Sequence, residues 1–240
     1  MRIVAIVQAR TGSTRLPRKV LIELCGEPML KRVVNRTARS AILHDVIVAT
    51  TIEQEDETIV ELCKKHGWPC FCGSINDVLD RYYKAARDYR VDVIVRITSD
   101  CPLIDPCIID LVISKFLEKN PLDYASNTVQ RSFPRGLDVE VVSFEALERA
   151  WHEDCNPLWR EHVTPYIYLH PEKFALTAVV NNKDYSYMRW TVDTPEDLDF
   201  VRRVYDHFGH DNFSWKEVLA VLDEHQDWLA INSHIQQKVI

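Results

Sequence analysis

Short apolar runs alternate with stretches of helical spacing through the first half of the chain. Residues 3–7 read Ile-Val-Ala-Ile-Val, residues 46–50 Val-Ile-Val-Ala-Thr and residues 93–97 Val-Ile-Val-Arg-Ile. Runs this short, rich in β-branched residues and apolar at successive positions, predict strands buried on both faces. Residues 69–72 predict a briefer one. Between the strands, Met29, Leu30, Val33, Val34 and Ala38 fall at helical spacing, and Pro28 is placed to open a helix over 29–39. Residues 56–66 read as a second helix stopped by Gly67, residues 78–89 as a third and residues 106–118 as a fourth. Strands that alternate with helices need crossover connections. The pattern therefore predicts an α/β fold, a mainly parallel central sheet with helices on both faces.

Beyond residue 121 the rhythm loosens. Residues 123–126, 137–142 and 174–180 predict strands and 144–151 a helix, whereas 160–169 carry a mixed pattern with Glu161 and His162 among aromatics. Residues 188–193 predict a late strand ending in Asp193. Thr194 then stands as an N-cap, Pro195 at the first helical position and Asp197 at the capping-box position of a helix reaching about residue 207. A last helix is expected over 215–228, followed by a polar tail.

Composition narrows the class. The chain has 240 residues, 46% hydrophobic and 27% charged, with a net charge of −7, so bulk charge suggests no nucleic-acid partner. No stretch approaches the roughly 20 apolar residues that cross a bilayer, and the first residues carry no cleavage signal, so no membrane association and a cytoplasmic location are expected. Seven cysteines at scattered spacing fit reduced, mostly buried thiols better than a zinc site.

Against that acidic background the loop after the first strand is cationic. Arg10, Arg15, Arg18 and Lys19 fall within ten residues, with Gly12, Ser13 and Thr14 between them. Fixed cations and a loop free to turn its N–H groups outward suit a polyphosphate. The loop lacks the Gly-Lys-Ser/Thr of a Walker A motif, and Gly12 is its only glycine, so it is no dinucleotide fingerprint either. Ligands of parallel sheets bind at the carboxyl ends of the strands. The first loop, Thr50 with Thr51, Gly73 with Ser74, and Ser99 with Asp100 all follow strands at that edge. Asp100 and Asp193 each end an apolar run; either is a cap or turn residue on its own, and together beside a polyphosphate they suit Mg²⁺. Attack at the γ-phosphate or at the α-phosphate of a nucleoside triphosphate both remain open from the residues alone.

The motif Ala9-Arg10-x-x-Ser13-Thr14-Arg15-Leu16-Pro17-x-Lys19, with Gly26-x-Pro28-Met29 after it, resembles the opening of the cytidylyltransferases that activate acidic sugars, the CMP-Kdo and CMP-sialate synthetases. Gly73-Ser74-x-x-Asp77, Arg96-Ile97-Thr98-Ser99-Asp100-Cys101-Pro102, Gly136-Leu137-Asp138-Val139-Glu140, Arg160-Glu161-His162 and Thr191-Val192-Asp193-Thr194-Pro195-Glu196-Asp197 are most similar to its spore coat polysaccharide biosynthesis protein F branch. The resemblance covers about residues 1–205. It implies a Rossmann-like nucleotide-diphospho-sugar transferase fold, CTP and a small-molecule acceptor, Mg²⁺ and a homodimer. It implies transfer of CMP with release of pyrophosphate, for surface polysaccharide synthesis. Carried over by position, it makes Arg10, Arg15, Lys19 and Asp100 catalytic. Ala9, Arg10, Gly12, Ser13, Arg15, Lys19, Gly73, Ser74, Arg81 and Ser99 would bind the nucleotide, and Asp100 and Asp193 the metal. Asp138, Glu140, Arg160, Glu161, His162 and Arg189 are candidates for the acceptor. The chain would then be one domain over 1–240: a nucleotide-binding core (1–120), an acceptor-binding or dimerisation insertion (121–190), and a closing part with the metal-bearing strand end and terminal helices (191–240). CMP-Kdo synthetases carry Gln-Gly-Asp where this chain has Thr98-Ser99-Asp100, which alters the base contacts, and the Glu-Gln pair they use near the sugar has no counterpart here, which points to an acceptor other than Kdo. A nucleotide-sugar-dependent glycosyltransferase is an alternative, opposed by the lack of an Asp-x-Asp motif at Asp100; a non-catalytic nucleotide-binding protein is another.

Overall fold

The computed structural model describes residues 1–118 and 121–237. Strand β1 (Ile3–Gln8) lies at the centre, and its side chains alternate between two cores: Ile3, Ala5 and Val7 face one, Val4 and Ile6 the other. A small hairpin of β2 (Glu23–Leu24) and β3 (Glu27–Pro28) follows, turned at Cys25 and Gly26, and then helix α1 (Met29–Thr37). Regular alternation continues through β4 (Asp45–Thr51), α2 (Glu57–His66), β5 (Cys70–Gly73), α3 (Val78–Asp88), β6 (Val93–Thr98) and α4 (Pro106–Glu118). The second half contributes β7 (Tyr124–Ser126), β8 (Glu140–Ser143), α5 (Phe144–Glu153), α6 (Pro157–His162), α7 (Pro165–Tyr168) and β9 (Leu176–Ala178). The last helices are α8 (Pro195–Phe208), α9 (Trp215–Glu224) and α10 (Asp227–Ala230).

Seven strands form one sheet in the order β5-β4-β1-β6-β8-β7-β9. The pairs among β5, β4, β1 and β6 are parallel, as is β7 with β9; β8 runs antiparallel to both of its neighbours. Helices α1, α2, α4, α8 and α9 pack on one face, and α3, α5 and α7 on the other. The alternation read from the apolar runs thus yields the mainly parallel, two-faced sheet. Strands from residues 121–190 join that same sheet, and the boundary placed at residue 120 lies outside the described residues, as does the tail beyond residue 237.

Several elements differ from their sequence patterns, each for a tertiary reason. The strand expected over 188–193 does not form: one bridge links Arg189 to Arg135, and the Arg189 and Val192 carbonyls go to side chains, those of Asn232 and Lys19. The strand expected over 137–142 starts only at Glu140, because the Asn127 side chain bonds the Leu137 carbonyl and the Val139 N–H in place of a neighbouring strand. Residues 174–180 are strand only over Leu176–Ala178. The mixed segment resolves into α6 and α7, parted by Val163 at φ 74°, a left-handed conformation that a β-branched residue rarely adopts. Asp56 does not open α2 as a helical residue; it closes a 3₁₀ turn (Gln54–Asp56) with its carboxylate bonded elsewhere. The last helix is broken at His225. All seven cysteines are free, but Cys25, Cys72, Cys107 and Cys155 are exposed and only Cys63 and Cys101 buried, since most sit in turns, at a helix start or on the edge strand β5. Among the described residues, no helix is long and apolar enough to cross a membrane.

Gly136 fixes how the 130s loop meets the late segment. Its φ is 105°, and a Cβ there would stand 2.6 Å from the Thr191 nitrogen and from the Trp190 carbonyl carbon. Neither backbone atom can yield without moving Asp193. Gly136→Ala is therefore expected to cost about 2–3 kcal/mol in urea unfolding. A loss below about 0.5 kcal/mol would refute this close-packing role.

Candidate active site

A cleft of about 630 Å³ opens at the carboxyl ends of β1 and β6, with residues from the second half of the chain forming its far wall. Its near wall is the loop after β1. Thr11 donates both its N–H and its hydroxyl to Asp56 Oδ1, each at 2.7 Å, and Thr51 donates to Oδ2 of the same buried carboxylate. Ser13 and Arg18 both donate to the Thr11 carbonyl, at 2.8 and 3.0 Å, folding the loop on itself. Arg10, Gly12, Ser13, Thr14, Arg15 and Lys19 then line the cleft, as does Ala9 at the loop's start. Asp56 was not legible as a site residue: in sequence it is an acid before a helix, and only the fold brings it under Thr11. Asp56→Ala leaves three buried donors unpaired. It is expected to weaken binding of a polyphosphate such as a nucleoside triphosphate about tenfold, while circular dichroism stays native. Unchanged binding would show that the loop holds its shape without this carboxylate.

The two aspartates meet at the floor. Val192 donates its N–H to the Asp100 carbonyl at 2.8 Å, and the Thr191 hydroxyl reaches the same oxygen at 3.2 Å, so the segments carrying the acids are tied together. Lys19 Nζ lies 2.9 Å from Asp100 Oδ2 and 2.9 Å from Asp193 Oδ1. Arg15 stands 3.1 Å from Asp193 Oδ1, and Arg189 donates to Asp193 Oδ2 at 2.8 Å. Asp100, Asp193, Arg15 and Lys19, distant in sequence, therefore face one another. Burial by itself would raise the Asp100 pKa, but the Lys19 charge and hydrogen bonds from Thr98 and Lys19 outweigh it and hold it at about 2. Burial likewise opposes the Lys19 charge, and the two carboxylates more than compensate, raising its pKa. A carboxylate depressed on folding stabilises the protein above its unfolded pKa of about 3.9 and ceases to do so as pH falls through the folded value. Urea unfolding is expected to show this contribution intact at pH 5 and lost toward pH 2, and to lose that acid dependence in Asp100→Asn.

At the far end of the near wall Arg81 is 2% exposed, and its Nε and Nη1 have no hydrogen-bond partner among the described residues. Gln8 Oε1 is likewise buried and unpartnered. Arg81, Gln8 and Ser99 line the cleft. Gly73 and Ser74 do not line it. A Cβ at Gly73 would meet Phe71 at 3.0 Å and Arg81 at 3.1 Å, and the Ser74 hydroxyl accepts from the Asp77 N–H, so both support Arg81 and α3 from behind.

The far wall holds four of the six acceptor candidates: Asp138, Glu140, Glu161 and His162. Asp138 is gripped by Arg131 through two bonds of 2.8 Å. Glu140 accepts from Tyr124 at 2.6 Å, from Thr164 at 2.5 Å and from Arg96, which leaves it to orient its neighbours. Glu161 faces Arg10 at 3.5 Å. Burial, then the Arg96 charge, lower the His162 pKa, so its imidazole is neutral at pH 7. The other two candidates lie elsewhere. Arg160 clamps Asp77 and the carbonyls of Trp151 and Asp154, joining α6 to α5 and α3. Arg189 is 5% exposed behind Asp193, bonded to Asp197 and to Gln237 as well. Both are acceptor candidates by sequence; in the structure both guanidiniums are taken up by protein partners instead. Sequence reasoning missed Arg135, Tyr168 and Gln237, which line the far wall. The Arg135 side chain makes no hydrogen bond or ion pair among the described residues, so it presents a free guanidinium to the cleft. Its position between two turns of a loop was the only signal available.

Among the described residues no three His, Cys, Asp or Glu side chains gather to hold a metal. Two carboxylates with cations beside them are what remains, a donor set that a polyphosphate would complete with its own oxygens.

The cytidylyltransferase sequence profile matches residues 4–225. The chain is 42% identical to an uncharacterised protein of Methanocaldococcus jannaschii over 241 aligned positions, covering 99% of this chain and 97% of that one. It is 31% identical to the spore coat polysaccharide biosynthesis protein SpsF of Bacillus subtilis, covering 94% and 95%. Among solved structures, a cytidylyltransferase from Leptospira borgpetersenii superposes with a TM-score of 0.92 at 34% identity, over 100% of each chain.

Proposed function

Because this chain belongs to the cytidylyltransferase family, and is thereby a nucleotidyltransferase, we propose that it transfers CMP from CTP to a small anionic acceptor, a sugar acid, phosphosugar or related molecule, for surface polysaccharide synthesis. The observation that carries this reading is the meeting of Lys19 and Arg15 with Asp100 and Asp193 at the floor of the cleft. An acceptor oxygen attacks the α-phosphorus, the bond from that phosphorus to the bridging oxygen breaks, and pyrophosphate departs. Arg10, Ser13, Arg15 and Lys19 hold the β- and γ-phosphates and neutralise the charge that grows on the leaving group. Arg81 and Gln8, which line the cleft beside the first loop, receive the base. Arg135, flanked by the Arg131–Asp138 pair, takes the acceptor's anionic group. Asp100 and Asp193 fit Mg²⁺ by oxygen chemistry and would hold it; the ion would supply charge to offset the triphosphate.

The reading is tested by pyrophosphate release from each of the four nucleoside triphosphates with Mg²⁺, across a panel of sugar acids, phosphosugars and phosphonates. Release with CTP and an anionic acceptor is expected. CTP bound but never cleaved with any acceptor would remove the transferase reading, and cleavage only with neutral sugars would remove the role given to Arg135.

A further inference from the structure

The polar cluster at the cleft floor is electrically closed. Lys19 Nζ donates to Asp100 Oδ2 at 2.9 Å, to Asp193 Oδ1 at 2.9 Å and to the Val192 carbonyl at 2.8 Å, which uses every N–H of the ammonium. Arg15 adds a second cation to Asp193, and Arg189 divides itself between Asp193 and Asp197. Asp100, Asp193 and Asp197 are thereby matched one for one by Lys19, Arg15 and Arg189. The Lys19 side chain is only 12% exposed, so its charge is weakly screened.

A hard divalent ion at these acids needs carboxylate oxygens at about 2.0–2.1 Å. The ammonium already stands on the oxygens it would use. Two cations at that spacing repel strongly, and a dication added to a neutral cluster leaves two unbalanced positive charges. A triphosphate reverses the sum. It brings more negative charge than the ion brings positive, and it gives Lys19 and Arg15 a better anion than a shared aspartate.

We propose that Lys19 is a built-in counter-ion as well as a phosphate ligand: it closes Asp100 and Asp193 to divalent ions in the nucleotide-free protein and cedes them when a triphosphate arrives. Metal and nucleotide then enter together, and the protein holds no activating ion between turnovers. The inference rests on the reading that Asp100 and Asp193 are metal ligands, and its test needs no turnover.

Mn²⁺ binding to the full chain without nucleotide, followed by electron paramagnetic resonance, reads it directly. The parent protein is expected to bind weakly, with a dissociation constant in the millimolar range, and Lys19→Met at least about tenfold more tightly, because two carboxylates lose their internal cation. Adding Asp193→Asn to Lys19→Met is expected to abolish the gain. Lys19→Gln, which keeps length and polarity, provides the same comparison should the methionine variant fail to fold. Equal affinity in the parent and both Lys19 variants, micromolar binding by the parent, or a gain that survives Asp193→Asn would each overturn the inference. Pyrophosphate release by the parent with CTP is scored separately, so a failed counter-ion and a failed transferase reading give different results.

Discussion

Asp100→Ala is expected to lower pyrophosphate release from CTP by about 10³-fold while the protein stays folded. The carboxylate stands at the cleft floor, held by hydrogen bonds from Lys19 and Thr98. Removing it does not strand that lysine, whose ammonium keeps Asp193 and the Val192 carbonyl. The structural cost is the acid-dependent contribution of this one carboxylate, with no charge left stranded, and the loss of rate falls on the chemistry. Urea unfolding measured beside the rate separates the two. A variant that keeps a tenth of the parent rate would show that Asp100 serves the fold alone, and the reading of the floor as a catalytic centre would go with it.

Arg189→Met is expected to do the reverse, and to do it to the fold: about 3–5 kcal/mol lost in urea unfolding. Asp197 is completely buried, and Arg189 bonds it through Nε at 2.8 Å and Nη2 at 3.0 Å. Methionine fills similar space but leaves that carboxylate with only two backbone N–H groups, Asp193 and Thr194, and the Asn232 amide. A buried charge that loses its counter-charge is among the costliest single changes. Asp193 loses a cation too, so activity falls with stability. If the variant unfolds within 1 kcal/mol of the parent, the arginine is not the keystone of this corner, and direct contact with the acceptor is restored as its reason for being there.

These two residues show where reading from sequence succeeds and where it stops. Asp100 was legible because a strand of apolar residues delivered it to the sheet edge, and the sheet edge is where such folds bind ligands. The capping box of Thr194 and Asp197 was legible because it is local, and both of its hydrogen bonds form. Arg189 was not, since nothing in the order Met-Arg-Trp-Thr-Val-Asp reveals that its guanidinium turns inward to Asp197 instead of outward to the cleft. The same blindness hid Asp56, whose value lies in Thr11, and Asn127, whose amide replaces a strand neighbour for Leu137 and Val139. Periodicity reports which side chains avoid water. It is silent on which polar atom satisfies which, and such pairings explain why the strands expected over 137–142 and 188–193 came out shorter or absent.

Lys19 and Asp193 lie 174 positions apart along the chain, yet share one hydrogen bond. A contact of that span closes a very large loop, which weighs on the folding rate far more than on stability. The cationic loop after β1 and the segment that carries Asp193 face one another only in the complete fold, so under the proposed function a chain whose late segment is loose has the cations without the acid opposite Arg15.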